Sequence, residues 1–252
     1  MKFALFRLFM ADCLKVKRSG YYPIVLGAPL IITLFFILWS AFMPHNPQDV
    51  LRYYILVLSI LSSIIIGMSV YIPFETERRC CNYKEMLSTG YGRKKQLTSK
   101  IGLLFLFDLC SLVVSVFIFY SIFQYGFGYH LLTVGAYLYL IFIIYTGRLI
   151  LILFHVWISL IIGKGGSIGI GIGCTFLNGM LMTEFGNGIW YWFPCSWGTI
   201  LSHIYIACSQ GAYLTLKEGI TLINNTLFYF TLITLIALFL LLFWFSTYER
   251  KS

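Results

Sequence analysis

Six long apolar stretches alternate with short polar segments along the chain. They cover Tyr21–Met43, Tyr53–Phe74, Ile101–Phe123, Leu131–Gly163, Ser167–Thr183 and Ile220–Phe245. A helix needs roughly 20 apolar residues to cross a bilayer, which these stretches approach or exceed. The pattern therefore predicts an all-α polytopic membrane protein with six transmembrane helices.

Two further segments have patterns of their own. Residues 1–19 mix five basic residues with apolar residues at positions 3, 6, 10 and 14. This spacing favours an amphipathic helix lying on the inner leaflet, with an ordinary cytosolic start to the first span as the alternative. Residues 184–216 are aromatic and apolar but broken by glycines and a proline, which favours re-entrant or interfacial helices at the outer surface.

Composition agrees with a membrane protein. The chain is 60% hydrophobic and 11% charged, whereas soluble domains carry about 25% charged residues. Seven cysteines, mostly within apolar segments, do not indicate a disulfide framework. Cys195 and Cys208 lie on one side of the membrane, either as a pair or as free thiols.

The basic residues are distributed unevenly between the two sides. With the N-terminus inside, six spans place the C-terminus inside too, and fifteen of the 18 Lys and Arg residues are then cytoplasmic. Such a bias follows the positive-inside rule. Membrane insertion and contact with anionic lipid headgroups therefore explain the net charge of +9. No nucleic-acid partner is predicted.

The loop over residues 75–100 holds the densest charge in the chain. From Thr76 to Leu87, the residues Cys80, Tyr83, Met86 and Leu87 recur at helical spacing on one side. This predicts a short helix parallel to the membrane, and two interpretations stay open: a docking element for a cytosolic partner or a solvated loop. Since Cys80 and Cys81 have no nearby His or second Cys pair, no metal site is predicted.

This loop carries a family resemblance. The stretch "FETERRCCNYKEMLSTGYGRKKQLTSKIGLLFL" is similar to the permeases of lantibiotic immunity transporters, and the architecture resembles the type-2 ABC exporter permease fold. The matching residues are Glu75, Met86, Leu87, Ser88, Arg93, Ser99 and Lys100.

The resemblance implies a single transmembrane permease domain over residues 1–252, in the membrane of a bacterial cell. It would pair with a second, related permease and a cytosolic ABC ATPase dimer, and would export an antimicrobial peptide. The loop helix would be the coupling helix, seated in the ATPase through Glu75, Glu77, Cys80, Tyr83, Met86 and Leu87. ATP and Mg would bind the partner ATPase, because this chain has no phosphate-binding G-x-x-x-x-G-K-[ST] motif and is not expected to be an enzyme or to bind a cofactor.

Three charged or titratable residues fall inside the predicted spans. Asp108 lies in the third span, and Arg148 and His155 lie seven residues apart in the fourth. A charged group at that depth costs at least about 2.5–3.5 kcal/mol, so partners are expected. We predict a polar cluster of these residues, serving either a substrate path or bundle structure.

Two more sets of residues are candidates for contacts. Glu184 with Trp190, Trp192 and Trp197 forms either a contact for a cationic peptide or an ordinary aromatic belt. Gly165, Gly169 and Gly173 lie four apart and define a smooth helix face. That face is expected to contact another helix, in this chain or in a partner subunit.

Two other functions compete with the exporter. An intramembrane enzyme would need a His/Glu or Ser/His pair in the spans, and neither HExxH nor GxSxG is present. An ion-coupled carrier of unknown substrate typically shows an internal repeat, and residues 21–123 and 131–246 show no convincing one.

Overall fold

The computed structural model describes residues 4–17, 19–43, 46–81, 83, 92–211 and 215–247. Over these residues the chain is helical and contains no strand. The described helices are α1 (Ala4–Lys17), α2 (Ala28–Phe42), α3 (Pro47–Ile60), α4 (Ser62–Cys81), α5 (Arg93–Ser121), α6 (Val134–Ile161), α7 (Lys164–Leu181), α8 (Trp197–Ser209) and α9 (Leu216–Thr247). π-Helical turns at Pro23–Gly27 and Ile122–Gly126 extend α2 and α5, and three short 3-10 turns lie between α7 and α8.

Among the described residues, five helical segments are long and apolar enough to cross a membrane. They are Pro23–Phe42, Pro47–Arg79, Arg93–Gly126, Val134–Ile161 and Leu216–Thr247. A helical, multi-pass membrane protein is therefore confirmed, and these five segments match the first four predicted spans and the last. The fifth predicted span corresponds to α7, which has 18 residues and is not among these five segments.

Local signals explain where several helices begin and end. The Asn46 side chain accepts a hydrogen bond from the Gln48 amide at 3.1 Å and caps α3. Thr133 caps α6 in the same way through the Ala136 amide. Leu61 separates α3 from α4, but the two helices form one continuous 33-residue segment.

Helix α6 lies at the centre of the bundle and packs against α4, α5, α8 and α9. Two apolar clusters surround it. One lies at the aromatic end of the bundle, where the segment 184–209 folds, and includes Tyr54 and Phe119 stacked at 4.0 Å. The other lies at the basic end, where α4 ends and α5 begins, and includes Phe74 and Leu104. Each end of the bundle contains polar residues that the sequence predicts as candidate site residues.

Candidate functional site

Four charged side chains from three helices meet at the basic end. The Lys100 ammonium in α5 donates to Asp12 Oδ1 in α1 at 2.9 Å and to Glu77 Oε1 in α4 at 3.0 Å. Lys15 in α1 donates to the same Glu77 oxygen at 3.0 Å. Ser99 donates to the second oxygen of Asp12 at 2.6 Å. We call these residues the ion network; its two carboxylates balance its two ammonium groups.

Burial makes the ion network a structural connection. Lys100 is 3% exposed, Glu77 5% and Asp12 8%, and buried charges are stable only when paired. The network therefore fixes α1 to the adjoining ends of α4 and α5. Glu77 directs its carboxylate into the protein, so it is not the exposed docking residue that the sequence predicted.

The predicted helix starting at Thr76 is wrong over residues 76–81, because these residues continue α4. The Tyr83 amide donates to the Glu77 carbonyl at 3.3 Å, and Tyr83 adopts a φ of 65°, a conformation common where helices end. The Tyr83 side chain is buried. Met86, Leu87 and the side chain of Cys80 lie outside the described residues.

Glu75 lies two residues before Glu77 in α4, and its side chain is 16% exposed. Its carboxylate pairs with Arg79 at 3.0 Å and with Arg78 at 3.8 Å. The Arg79 side chain is 74% exposed. Arg79 therefore presents a charge to any partner at the basic end.

The intramembrane polar residues separate into two groups. Arg148 donates from Nη1 to Asp108 Oδ1 at 3.2 Å and from Nη2 to the Leu58 carbonyl at 3.3 Å. His155 instead contacts Ser167 Oγ through Nδ1 at 3.2 Å. No hydrogen bond or ion pair within the described chain joins His155 to Asp108 or Arg148, so the single three-residue cluster is wrong. The histidine is at the interface of α6 with α7, away from the ion pair.

A cavity of about 520 Å³ opens at the aromatic end. Its wall combines the end of α7, the segment 182–190, α8 and the start of α9. The lining residues are Leu181, Met182, Thr183, Glu184, Gly186, Asn187, Trp190, Ile200, His203, Ile204, Ala207, Cys208 and Leu222. Two of the predicted contact residues, Glu184 and Trp190, therefore share one cavity, which we call the aromatic-end cavity.

His203 is the lining residue that the sequence interpretation missed. Arg52 in α3 donates to its Nε2 from Nε at 3.1 Å and from Nη2 at 2.7 Å. Burial, together with the Arg52 charge, lowers the pKa of His203 below its ordinary value of 6.5. The imidazole is therefore neutral at neutral pH. The sequence does not indicate a role for His203, because it is a single histidine in an apolar segment and its partner, Arg52, lies 151 residues away.

The other two predicted contact residues are elsewhere. Trp197 is 3% exposed and stacks on Phe230 at 3.7 Å, and its indole Nε1 donates to the Tyr191 carbonyl at 3.0 Å. It is a core residue, and the predicted substrate contact is wrong for it. Trp192 is 82% exposed and does not line the cavity.

The glycine face of α7 differs from the expected one. Within the described chain, a Cβ added at Gly165, Gly169 or Gly173 would meet no atom within 4 Å. Gly171 makes the close contact instead, with Gly67 and neighbouring residues of α4. A contact of the predicted face inside this chain is therefore wrong, and its contact with a partner subunit stays a prediction.

No group of three His, Cys, Asp or Glu side chains suited to a metal ion occurs among the described residues. Cys195 and Cys208 are buried free thiols. No protein-family profile matches the chain, and no curated protein matches it either. The functional argument therefore depends on the geometry at the two ends of the bundle.

Proposed function

We propose that the chain is a permease subunit of an ABC exporter, driven by a cytosolic ATPase dimer that docks at the basic end. The ion network is the observation that carries this proposal. It connects α1, α4 and α5 on both sides of the charged loop through ion pairs in which Asp12, Glu77 and Lys100 are buried. A force applied to the loop would therefore move two membrane helices and the N-terminal helix together.

Exposed groups at this end supply a docking surface. Arg79, Lys94 and Lys95 are exposed and lie on either side of the residues 82–91. Charges of this kind set the register of a partner and speed its association. The ATPase would bind ATP and Mg, and the permease would contribute mechanical coupling alone.

The substrate and the second subunit follow from the sequence resemblance. The exporter would confer immunity by expelling a lantibiotic-like peptide from the bacterial cell membrane, and a second related permease would complete the pore. On α1, Phe6, Met10 and Leu14 are 62%, 49% and 68% exposed. An apolar stripe of this kind supports a helix that lies in the membrane interface.

The contact between Ser167 and His155 does not favour the alternative of an intramembrane enzyme with a Ser/His pair. The Ser167 hydroxyl donates its only proton to the Gly67 carbonyl at 2.8 Å, so His155 Nδ1 must donate to the serine oxygen. A serine nucleophile needs the opposite arrangement, in which the histidine accepts the serine proton. Both residues are also fully buried.

The test is reconstitution with any ABC ATPase that a neighbouring gene encodes. We expect the two proteins to co-purify and the peptide to stimulate ATP turnover in liposomes. Replacing Arg79 by Glu should reduce export at least about tenfold, by the loss of one charge-assisted contact. Its effect on folding should be small, because the intramolecular ion pair that it removes, with Glu75, involves a side chain that is 74% exposed.

Lys217→Glu is the matched control, since Lys217 is an exposed cation at the aromatic end. It should leave the coupling of ATP turnover to export unchanged. The proposal is contradicted if the permease binds no ATPase, or if both charge reversals have the same effect.

A further inference from the structure

We propose that the aromatic-end cavity binds an organic ammonium group that carries a short apolar chain. The inference rests on the proposed function in one respect, namely that the bound group would belong to the exported substrate. Three features of the cavity support the inference independently of ATP coupling. They are the negative charge on its wall, the uncharged ring of His203 and the shape of its apolar surface.

The residues that line the cavity are acidic rather than basic in balance. Glu184 is the single acidic residue among the lining residues, and neither Lys nor Arg lines the cavity. Its exposed carboxylate makes no ion pair or hydrogen bond with the described residues. An unpaired carboxylate on an otherwise apolar wall favours a cation, because a charge-assisted hydrogen bond there is stronger than a neutral one.

His203 adds a polar group without adding positive charge. Arg52 can only donate, so His203 Nε2 must be the acceptor and the ring proton is on Nδ1. The ring is therefore uncharged in this arrangement, and protonating Nε2 would set a cation against the Arg52 guanidinium. Arg52 therefore keeps the His203 ring uncharged from a position outside the cavity lining.

The remaining wall selects for an apolar chain. Leu181, Ile200, Ile204 and Leu222 come from three helices and face the same space. Trp190 lines it too, and its ring is held by stacking on Tyr191 at 3.9 Å. An indole face attracts cations as well as apolar groups.

The cavity volume limits the size of the ligand. About 520 Å³ falls in the range of roughly 300–1,000 Å³ that is typical of small-molecule sites. A whole antimicrobial peptide does not fit, but one lysine side chain or an N-terminal residue does. The cavity would therefore recognise one residue of a cationic peptide while the rest stays in the membrane.

The test uses three probes of equal length and different charge, namely hexylammonium, hexanol and hexanoate. The full chain is placed in lipid nanodiscs without any ATPase, and binding is measured by titration calorimetry with empty nanodiscs subtracted. We expect saturable binding of hexylammonium, with the other two probes weaker by at least about tenfold, as for a lost charge-assisted contact. Equal binding of all three probes would overturn the proposal.

Two variants separate the site from nonspecific partition into lipid. Glu184→Gln should weaken hexylammonium binding at least about tenfold and should leave the fold intact, because the side chain is exposed. Glu218→Gln is the matched control, because Glu218 caps the start of α9 through Thr215 and does not line the cavity. An unchanged affinity in Glu184→Gln, or an equal loss in Glu218→Gln, would contradict the assignment.

A third variant tests the role of His203. Because the pKa of His203 lies below 6.5, acidification through that lowered pKa should protonate the ring and weaken hexylammonium binding in the native protein. His203→Gln should reduce this pH dependence. Binding is measured without the ATPase, so a failure here overturns the cavity assignment alone. A failure of ATPase coupling with intact binding would instead overturn the exporter proposal.

Discussion

A guanidinium in the middle of a membrane helix is stable only if its charge is balanced nearby. Arg148 is 3% exposed and has Asp108 as its ion-pair partner. Removing one partner of a buried pair costs about 3–5 kcal/mol, whereas replacing both by apolar residues is often neutral or stabilising. We therefore expect Arg148→Leu alone to destabilise the protein by that amount, and Asp108→Leu/Arg148→Leu to recover most of the loss.

Unfolding in detergent measures the stability of the three proteins, and peptide export measures the function that we propose for the chain. A double variant that is stable and exports normally would make the pair a structural element. A double variant that is stable but inactive would place the pair on the transport path. Equal stability of the single variant and the native protein would contradict the ion pair itself.

At the residue scale, unusual side chains are easier to identify from the sequence than the residues with which they form ion pairs. Glu77, Asp108 and Arg148 stand out as charges next to or inside apolar runs. Asp108 and Arg148 were predicted to share one cluster, and they form an ion pair. The partners of Glu77 could not be predicted, because one of them, Lys15, lies 62 residues away in the chain. The same limit explains why Glu77 was expected to face a partner protein although it points into the bundle.

At the element scale, α7 shows how two similar faces have different roles. A Cβ at Gly67 would lie 2.7 Å from the Ser167 carbonyl oxygen, and one at Gly171 would lie 3.1 Å from the Ser63 carbonyl oxygen. These backbone atoms cannot move independently of their helices. We expect Gly67→Ala to lower the free energy of unfolding, although alanine alone favours a helix by about 1 kcal/mol over glycine.

Gly169→Ala is the matched control for Gly67→Ala. Gly169 has nothing within 4 Å of an added Cβ, so the variant should be neutral or slightly more stable when the chain is measured alone. If Gly169 lies against a second permease, the same variant should reduce assembly of the pair. A loss of stability in Gly169→Ala and none in Gly67→Ala would contradict the packing of α4 on α7.

Periodicity could predict that α7 has small-residue faces, but it could not choose between them. Gly165, Gly169 and Gly173 form the more regular pattern, and Gly171 makes the contact because Gly67 lies opposite it. The choice depends on the sequence of α4 and on how α4 and α7 approach each other. Helix ends were also hard to predict, since α4 continues to Cys81 through residues whose charges suggested a loop.

At the scale of the whole molecule, hydrophobic length was the most informative signal. Five of the six predicted spans correspond to helical segments with the length and composition to cross a membrane. The packing of the segment 184–209 was less predictable, because its aromatic residues suit a membrane surface and a protein core equally. Trp197 and Trp192 differ only in their neighbours, and one is buried while the other is exposed.

The two ends of α7 lie at opposite ends of the bundle. Lys164 lies over the Tyr71 ring at 5.7 Å near the basic end, and Leu181 lines the aromatic-end cavity. Eighteen residues span about 27 Å at the helical rise, close to the roughly 30 Å of a bilayer core. We therefore predict that α7 crosses the membrane despite its glycines, which are accommodated because α4 covers Gly171.

Single cysteines in a cysteine-free background test this topology. A membrane-impermeant maleimide should label Thr183→Cys in intact cells, together with Lys217→Cys at the same end. Lys164→Cys and Arg79→Cys should react only after the membrane is permeabilised, because six spans with a cytoplasmic basic end place both inside. If Thr183→Cys and Lys164→Cys label from the same side, α7 does not cross. The chain would then cross the membrane five times, and its two termini would lie on opposite sides.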